Sequence, residues 1–289
     1  MTNPRGTYSQ VSSSGICRIG GVAVSDRVRV EVVQSVAYVT LNRPEKLNGL
    51  DLDMLDALVN AARTIETDRS IRGVVLQGAG DAFSAGLDFA SAGKQPRRMA
   101  KAFAKFPGQK TNLFQRACWV WRELPVPVIA VVHGHCFGGG LQLALAADFR
   151  FTTPDCTFSV MEAKWGLIPD MTGTVTMREL AAMDVVKRLA MTAELFDGNQ
   201  ALEWGFVSGV SDNPIKPAQE LLSQIAVRSP DAVAATKTLL HKTWNRSPRG
   251  AFWIESRIQL ALMRGKNHKI VRTANAAKKL PEFAIRKFG

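Results

Sequence analysis

The sequence predicts an α/β fold that ends in a helical subdomain. Apolar runs of strand length alternate with segments of helical periodicity through the first half of the chain. Some runs are apolar throughout, as at 126–132, which is typical of parallel strands buried on both faces. From Gly173 onward the pattern is one of helices alone. These observations predict α/β units with buried, parallel-type strands, followed by helices.

The first elements follow from local patterns. Two strands, 28–33 and 36–41, are close enough in sequence to form a hairpin. A loop follows, and Asp51 can cap a helix whose apolar residues recur at helical spacing. A short buried strand is predicted at 71–77. The polar and basic segment 94–109 predicts a mobile loop or a broken helix.

The later elements are a helix at 113–124, the apolar strand 126–132 and short strands at 148–151 and 157–160. A further helix is predicted to begin at Leu141. The helical subdomain is predicted to contain helices at 174–182, 185–191, 199–204, 217–227, 232–242 and 252–264.

Domain boundaries follow from composition. The chain has 289 residues, 46% of them hydrophobic, which is enough for a large core. Residues 1–25 are rich in Ser and Gly and predict a flexible N-terminal extension. Residues 26–210 form the predicted α/β core, and 211–289 the C-terminal helical region. No apolar run is long enough to span a membrane, so no membrane partner is expected.

Charge and cysteine content bear on location and partners. Four widely spaced cysteines without a CxxC motif indicate reduced thiols, and we expect a cytoplasmic protein. The net charge is +12, and the chain from Arg257 onward has nine Lys or Arg against one acid. Such a basic end favours a polyanionic partner, although a solvated helical face explains it equally well.

Two glycine-containing turns predict a site that stabilises an oxyanion. Three glycines at 138–140 precede the helix predicted at Leu141, and a glycine-rich helix start supplies free N–H donors and a positive dipole end. The second turn, FSAGLD at 83–88, follows another strand, and Gly86 allows close approach to a ligand. Alone, FSAGLD is an ordinary strand-to-helix turn. N–H groups from both turns together can form an oxyanion hole.

Two carboxylates and one amide lie nearby in the sequence. Glu162 and Asp170 are eight residues apart around a Gly/Pro loop, and together they favour acid–base chemistry. Taken singly, Asp170 could cap the next helix and Glu162 could pair with an arginine. Gln142, just inside the glycine-started helix, has no titratable group, so any mechanism must proceed without a base at this position.

Other site types are disfavoured. His133, His135 and Cys136 suggest a metal or a Cys–His nucleophile, but no further ligands occur at recognisable spacing, and packing at a strand end explains them better. No metal is therefore expected. The dinucleotide and P-loop glycine patterns are not matched, and the esterase GxSxG elbow is absent.

Four motifs in order carry a family resemblance: LNRPEKLNGLD, GAGDAFSAGLD, PVIAVVHGHCFGGGLQLALAADFRF and EAKWGLIPDMTG. From Arg27 to Gly209, and more loosely beyond, the chain resembles the crotonase superfamily, also called the enoyl-CoA hydratase/isomerase family. The resemblance implies a crotonase-like spiral of ββα units with a C-terminal helical subdomain. That subdomain would serve oligomerisation and active-site closure in a homotrimer or a dimer of trimers.

The resemblance also implies the chemistry and its residues. Family members stabilise the enolate of an acyl-CoA thioester with two backbone N–H groups, which here would be those of Leu87 and Gly139. The loop around Lys46 and Leu47 would contact CoA, and basic C-terminal residues could approach its phosphates. CoA enters as part of the substrate, and no separate cofactor is expected. The other substrate-binding residues implied are Ser84, Ala85, Gly86, Asp88, Gly138 and Gly140.

Departures from the family pattern bear on the reaction. Typical hydratases have a glutamate where this chain has Gln142, and their second glutamate matches Glu162. Losing one general base costs a factor of about 10² to 10⁴, so efficient hydration is not expected. Asp170 replaces a glycine of hydratases and resembles the dienoyl-CoA isomerase branch, although that branch has an aspartate at position 142. The 3-enoyl isomerases often rely on a single glutamate matching Glu162.

Three functional hypotheses follow. The favoured one is double-bond isomerisation, of a 3,5-dienoyl-CoA to a 2,4-dienoyl-CoA or of a 3-enoyl-CoA to a 2-enoyl-CoA, with Glu162 and Asp170 as proton carriers and Gln142 orienting the substrate. The second is 2-enoyl-CoA hydration with Glu162. The third is a catalytically weak homologue that binds acyl-CoA or RNA. A nucleic-acid partner is disfavoured because the basic residues are not interleaved with aromatic residues that could stack on bases.

Overall fold

The computed structural model describes residues 25–105 and 107–289. The predicted flexible extension at 1–25 therefore lies, apart from Ser25, outside the described residues. Within the described part, a six-stranded sheet and a separate two-stranded sheet are found. The larger sheet has the strand order β1 (Val28–Val33), β2 (Val36–Leu41), β3 (Gly73–Gly78), β4 (Val128–Val132), β6 (Phe149–Thr152), β8 (Gly209–Val210), and the smaller one pairs β5 (His135–Phe137) with β7 (Thr157–Ser159).

The strand pairing confirms the predicted α/β class. β1 and β2 form the predicted antiparallel hairpin, with Val28 opposite Leu41. The pairs from β2 to β8 are all parallel, and every residue of β4 is buried. β3 and β4 each begin two residues later than the apolar runs predicted.

Five α-helices precede β6 within the described residues. Asp51 caps α1 as predicted, its side chain accepting from the N–H of Met54 at 2.8 Å. The segment 94–109, predicted to be a loop or a broken helix, contains one short helix, α3, within its described residues. The core helices are α1 (Leu52–Thr67), α2 (Phe89–Gly93), α3 (Pro96–Phe103), α4 (Leu113–Glu123) and α5 (Gly139–Leu145).

From Gly173 onward the described chain is helical as predicted, except that β8 adds a two-residue strand that the sequence pattern did not predict. α12 was not predicted because it is mostly polar, and Asn267 is its one buried residue. α11 buries no side chain and exposes Phe252, Trp253 and Leu260. The helices are α6 (Gly173–Leu180), α7 (Met183–Thr192), α8 (Gly198–Glu203), α9 (Ile215–Ala226), α10 (Pro230–Thr243), α11 (Pro248–Met263) and α12 (Lys266–Ala276).

The last ten residues return to the body of the protein. Asp231 of α10 accepts from the N–H groups of Lys287 and Phe288 at 2.6 and 2.8 Å. Asn267 donates to Asp231 and binds Ala284 through both ends of its amide. Burial alone would raise the pKa of Asp231, but these hydrogen bonds lower it. The C-terminal segment is therefore anchored on α10 and α12.

Two apolar layers hold the sheet in place. One face packs on α1 and α4 in the main core, and the other face contacts α9 through Ala218 and Leu222. Nowhere in the described part of the chain is a helix both long and apolar enough to cross a membrane. The carboxyl ends of β3 and β4 lead into the segments that build the candidate site.

Candidate active site

Backbone hydrogen bonds join the FSAGLD turn to the loop at 47–50. The N–H of Ala85 donates to the carbonyl of Leu47, and that of Leu50 donates to the carbonyl of Gly86, both at 2.8 Å. Ser84, fully buried, adds a side-chain hydrogen bond to the carbonyl of Asn48. The two loops therefore move as one unit.

The other side of the FSAGLD turn pairs with β5. The N–H of Ser84 donates to the carbonyl of His135, and the N–H of Phe137 donates to the carbonyl of Ser84, both at 3.0 Å. β5 leads directly into the glycine triplet, of which Gly138 has a φ of +47° and precedes α5. This ladder brings the two predicted oxyanion turns together.

The N–H groups of Leu87 and Gly139 are free to bind an oxyanion. Gly86 has a φ of +88°, and a Cβ added there would lie 2.7 Å from the carbonyl oxygen of Phe137 and 3.6 Å from the nitrogen of Gly139. The turn that carries Leu87 is thus in contact with the triplet. Neither N–H has an acceptor among the described residues. Glycine is required at position 86 both for its φ and for this close approach.

Gln142 links the helix that starts at the triplet to the segment containing the carboxylates. Its Oε1 accepts from the N–H groups of Met171 and Gly173 at 2.8 and 2.9 Å. Its Nε2 donates to Oε1 of Glu162 at 2.6 Å. The side chain is only 2% exposed, and both ends of its amide are hydrogen-bonded within the protein. Because Oε1 faces two N–H donors, the amide has one orientation, with its donor towards Glu162.

Glu162 has one bound and one unbound oxygen. Oε1 is held by Gln142, whereas Oε2 is buried and has no hydrogen-bond partner. Burial raises the pKa of Glu162 and the charge of Asp170 adds to the increase, while hydrogen bonds, including that from Gln142, oppose it. A buried carboxylate with a raised pKa and a free oxygen is suited to accept a proton from a bound ligand.

Asp170 lies at the exposed edge of the same site. Its charge raises the pKa values of Glu162 and of the buried Cys118, so the two carboxylates lie close enough to interact. Partial burial raises the pKa of Asp170 itself. Thr172 and not Asp170 occupies the N-cap position of α6, and no side-chain hydrogen bond caps this helix, so the capping alternative for Asp170 is wrong. No arginine or lysine nitrogen among the described residues lies within 4.0 Å of Glu162, which removes the ion-pair alternative.

The histidines beside the triplet have other contacts. The Nε2 of His133 is 2.8 Å from the carbonyl oxygen of Gly80, and His135 stacks on Phe137. Cys136 is fully buried. Across the described residues, no group of three or more His, Cys, Asp or Glu side chains could hold a metal ion.

The remaining predicted binding residues surround the oxyanion turns. Lys46 and Leu47 form an exposed corner, Leu47 having a φ of +47°. Asp88 accepts from Arg43 at 2.8 Å and from Ser91 at 2.7 Å. Although burial alone would raise the pKa of Asp88, these hydrogen bonds lower it to about 2. Its carboxylate therefore holds the turn in place. Ala85 lies within the same ladder. Gly140, in α5, packs against Ser84, and a Cβ added at Gly140 would lie 2.7 Å from the Cβ of Ser84.

Two features of the site escaped the sequence analysis. Arg43 is buried and links Asp88 to Asp51 at the start of α1, which no local motif indicates. Phe89 and Trp165 are both exposed, with ring centroids 5.6 Å apart. Phe89 comes two residues after Leu87, and Trp165 comes three after Glu162. The aromatic pair therefore offers an apolar surface between the oxyanion turn and the carboxylates.

Comparisons with known proteins agree with this geometry. The family model described as Enoyl-CoA hydratase/isomerase matches residues 31–284. An (E)-benzylidenesuccinyl-CoA hydratase of Thauera aromatica is 32% identical over 73% of this chain and 80% of its own. A mitochondrial Delta(3,5)-Delta(2,4)-dienoyl-CoA isomerase of Mus musculus is 34% identical over 70% of this chain and 64% of its own. The crystal structure of an enoyl-CoA hydratase from Bacillus anthracis superposes with a TM-score of 0.81 at 26% identity, covering 89% of this chain and 98% of that one.

Proposed function

Because the chain belongs to the enoyl-CoA hydratase/isomerase family, we propose that it moves a double bond along an unsaturated acyl-CoA thioester. The observation that carries this proposal is the hydrogen bonding of Gln142. Its amide is held by Glu162 and by the N–H groups of Met171 and Gly173. Glu162 and Asp170 are left as the titratable groups of the site, and both have raised pKa values.

This arrangement disfavours water addition. Hydration uses two groups that hold a water, deprotonate it and return a proton to the neighbouring carbon. Gln142 cannot accept or release a proton, and its Oε1 already accepts two N–H groups. Glu162 alone would have to perform both steps on a water it holds with one oxygen. Isomerisation has no such requirement, since no water enters the product.

The proposed proton transfers use side chains and backbone groups of this chain and return them to their starting protonation states. The thioester oxygen binds the N–H groups of Leu87 and Gly139, which acidifies the protons on C2. In a 3,5-dienoyl substrate, Oε2 of Glu162 removes one C2 proton and a delocalised dienolate forms. Asp170 donates a proton to C6, and the double bonds settle at C2 and C4. Glu162 and Asp170 then exchange one proton with solvent, and each regains its starting state.

A direct assay tests the proposal. Purified protein supplied with a 3,5-dienoyl-CoA is expected to produce the conjugated 2,4-dienoyl chromophore faster than it hydrates a 2-enoyl-CoA. Asp170→Asn is expected to slow dienoyl conversion more than 3-enoyl conversion, because a single carboxylate suffices for the shorter transfer. Hydration as the dominant activity would contradict the proposal. The trimeric assembly and the cytoplasmic location stay predictions.

The oxyanion hole gives a second prediction. Gly86→Ala places a Cβ 2.7 Å from the carbonyl oxygen of Phe137 at a φ of +88°, so the turn carrying Leu87 must shift. Losing one oxyanion donor typically costs about 10² to 10³ in kcat, and we expect a loss of this size. The matched control is Gly93→Ala, where the added Cβ meets nothing within 4 Å. Equal activity of the two variants would mean that Leu87 does not bind the oxyanion.

A further inference from the structure

A large crevice lies away from the candidate active site. It has a volume of about 880 Å³ and lies between α6, α9, α10 and the start of β6. This volume is within the range of small-molecule binding pockets in proteins. The glycine triplet, Glu162 and Asp170 are not among its lining residues. Much of its wall is apolar, including Leu145, Phe149, Leu180, Leu221, Leu240 and Trp244.

One buried cation in the wall is not paired directly with a carboxylate: burial lowers the pKa of Arg150 to about 10, and the charge of Asp148 opposes that decrease. Arg150 is 5% exposed and lines the crevice. Its Nε donates to the carbonyl of Phe206 at 2.7 Å and its Nη1 to the carbonyl of Ala147 at 2.6 Å. Among the described residues, neither of these side-chain hydrogen bonds uses Nη2, and no carboxylate lies within 4.0 Å of the guanidinium. A buried guanidinium without a directly paired acid is destabilised, and a bound anion would offset that cost.

Most of the other charged side chains of the wall are paired with one another. Lys237 is paired with Asp148 at 2.7 Å, and Arg122 is paired with Glu179. The remaining lining cation, Arg228, is exposed. Burial and the charge of Arg122 hold the pKa of the lining His241 down to about 4, so it is neutral near pH 7. Four cations against two acids leave the crevice with a net charge of +2.

We propose that this crevice is a second binding site, for an amphipathic carboxylate of the fatty-acid class. The carboxylate pairs with Nη2 of Arg150, and the hydrocarbon chain lies along the apolar side chains of α9 and α10. A polyphosphate fits less well, since one free guanidinium position and a largely apolar wall offer it few partners. Thr176, about one turn along α6 from Gly173, is part of the crevice wall.

Binding of dodecanoate to the full-length protein tests the site, with dodecan-1-ol as the uncharged probe of equal chain length. Titration calorimetry is expected to show one dodecanoate site per chain, at least about tenfold tighter than dodecan-1-ol, the ratio expected for a hydrogen bond to a charged group. Arg150→Met is expected to abolish that preference. Absence of saturable dodecanoate binding, or equal affinity for both probes, overturns the proposal.

Arg150→Met also removes two hydrogen bonds to backbone carbonyls and could therefore misfold. A second pair of variants tests the crevice without this change. Leu240→Asp adds a negative charge at the wall, at a side chain 47% exposed, and is expected to weaken dodecanoate binding about tenfold. Leu202→Asp is the matched control, 45% exposed on α8 and outside the crevice, and is expected to bind as the wild type does. If wild type fails to bind dodecanoate and Leu240→Asp alone dissociates an oligomer, the crevice is a contact between copies of this chain, and the proposal fails.

Discussion

Replacing Glu162 with glutamine is expected to lower kcat for double-bond isomerisation by about 10² to 10⁴, the usual contribution of a general base. The substitution keeps the size of the side chain but removes its ability to accept a proton. Oε2 of Glu162 is the buried, unpaired carboxylate oxygen of the site, and Asp170 is exposed at its edge. KM should change little, because the N–H groups of Leu87 and Gly139 still bind the thioester.

The pH dependence of the wild-type isomerisation rate is a second test of Glu162 as the general base. Glu162 must be ionised to accept a proton, and its pKa is raised above the ordinary value of 4.5. The rate should therefore fall as the pH drops through this raised pKa, at a higher pH than for an exposed glutamate. Glu203→Gln, an exposed change on α8, is the matched control and should leave kcat unaltered. Full isomerase activity in Glu162→Gln would show that another group takes the proton.

Much of the fold was accessible from sequence because it depends on local patterns. The β1–β2 hairpin follows from two runs separated by two residues, and the start of α1 follows from Asp51 at the capping position. Apolar composition alone identified β4 as a strand buried on both faces. α12 could not be predicted in this way, since its buried residue Asn267 is polar and is ordered by contacts with Asp231 and the C-terminal segment.

The sequence motifs indicate candidate site residues, whose roles stay predictions, but they do not indicate how these residues are hydrogen-bonded. The motifs place Glu162, Asp170 and Gln142 in one region of sequence. They do not show that the Gln142 amide bonds the N–H groups of Met171 and Gly173, which are 29 and 31 residues away. Such contacts depend on how α5 packs against the start of α6. Only the structure therefore shows that Gln142 holds Glu162 in place.

Restoring a carboxylate at position 142 is expected to change the reaction itself. In Gln142→Glu, one oxygen can still accept from Met171 and Gly173, but the other replaces Nε2 at about 2.6 Å from Oε1 of Glu162. Two carboxylate oxygens this close cannot both be ionised, so the pair shares a proton and its upper pKa rises. One member is then an acid and the other a base over a wide pH range. Such a pair can hold and deprotonate a water.

We therefore expect Gln142→Glu to raise hydration of a 2-enoyl-CoA by about 10²-fold or more over wild type, the scale of one general acid–base group. The isomerisation rate should fall at the acidic end of its pH profile, because the shared proton keeps Glu162 protonated to higher pH. Hydration is measured by loss of the enoyl thioester chromophore and isomerisation by growth of the dienoyl chromophore, each across the pH range. Gln142→Met, uncharged and similar in size, separates the added charge from the lost hydrogen bonds and should gain no hydration. An unshifted pH profile in Gln142→Glu would mean that its carboxylate does not share a proton with Glu162. If hydration were also unchanged, the residue at position 142 would not decide between the two reactions.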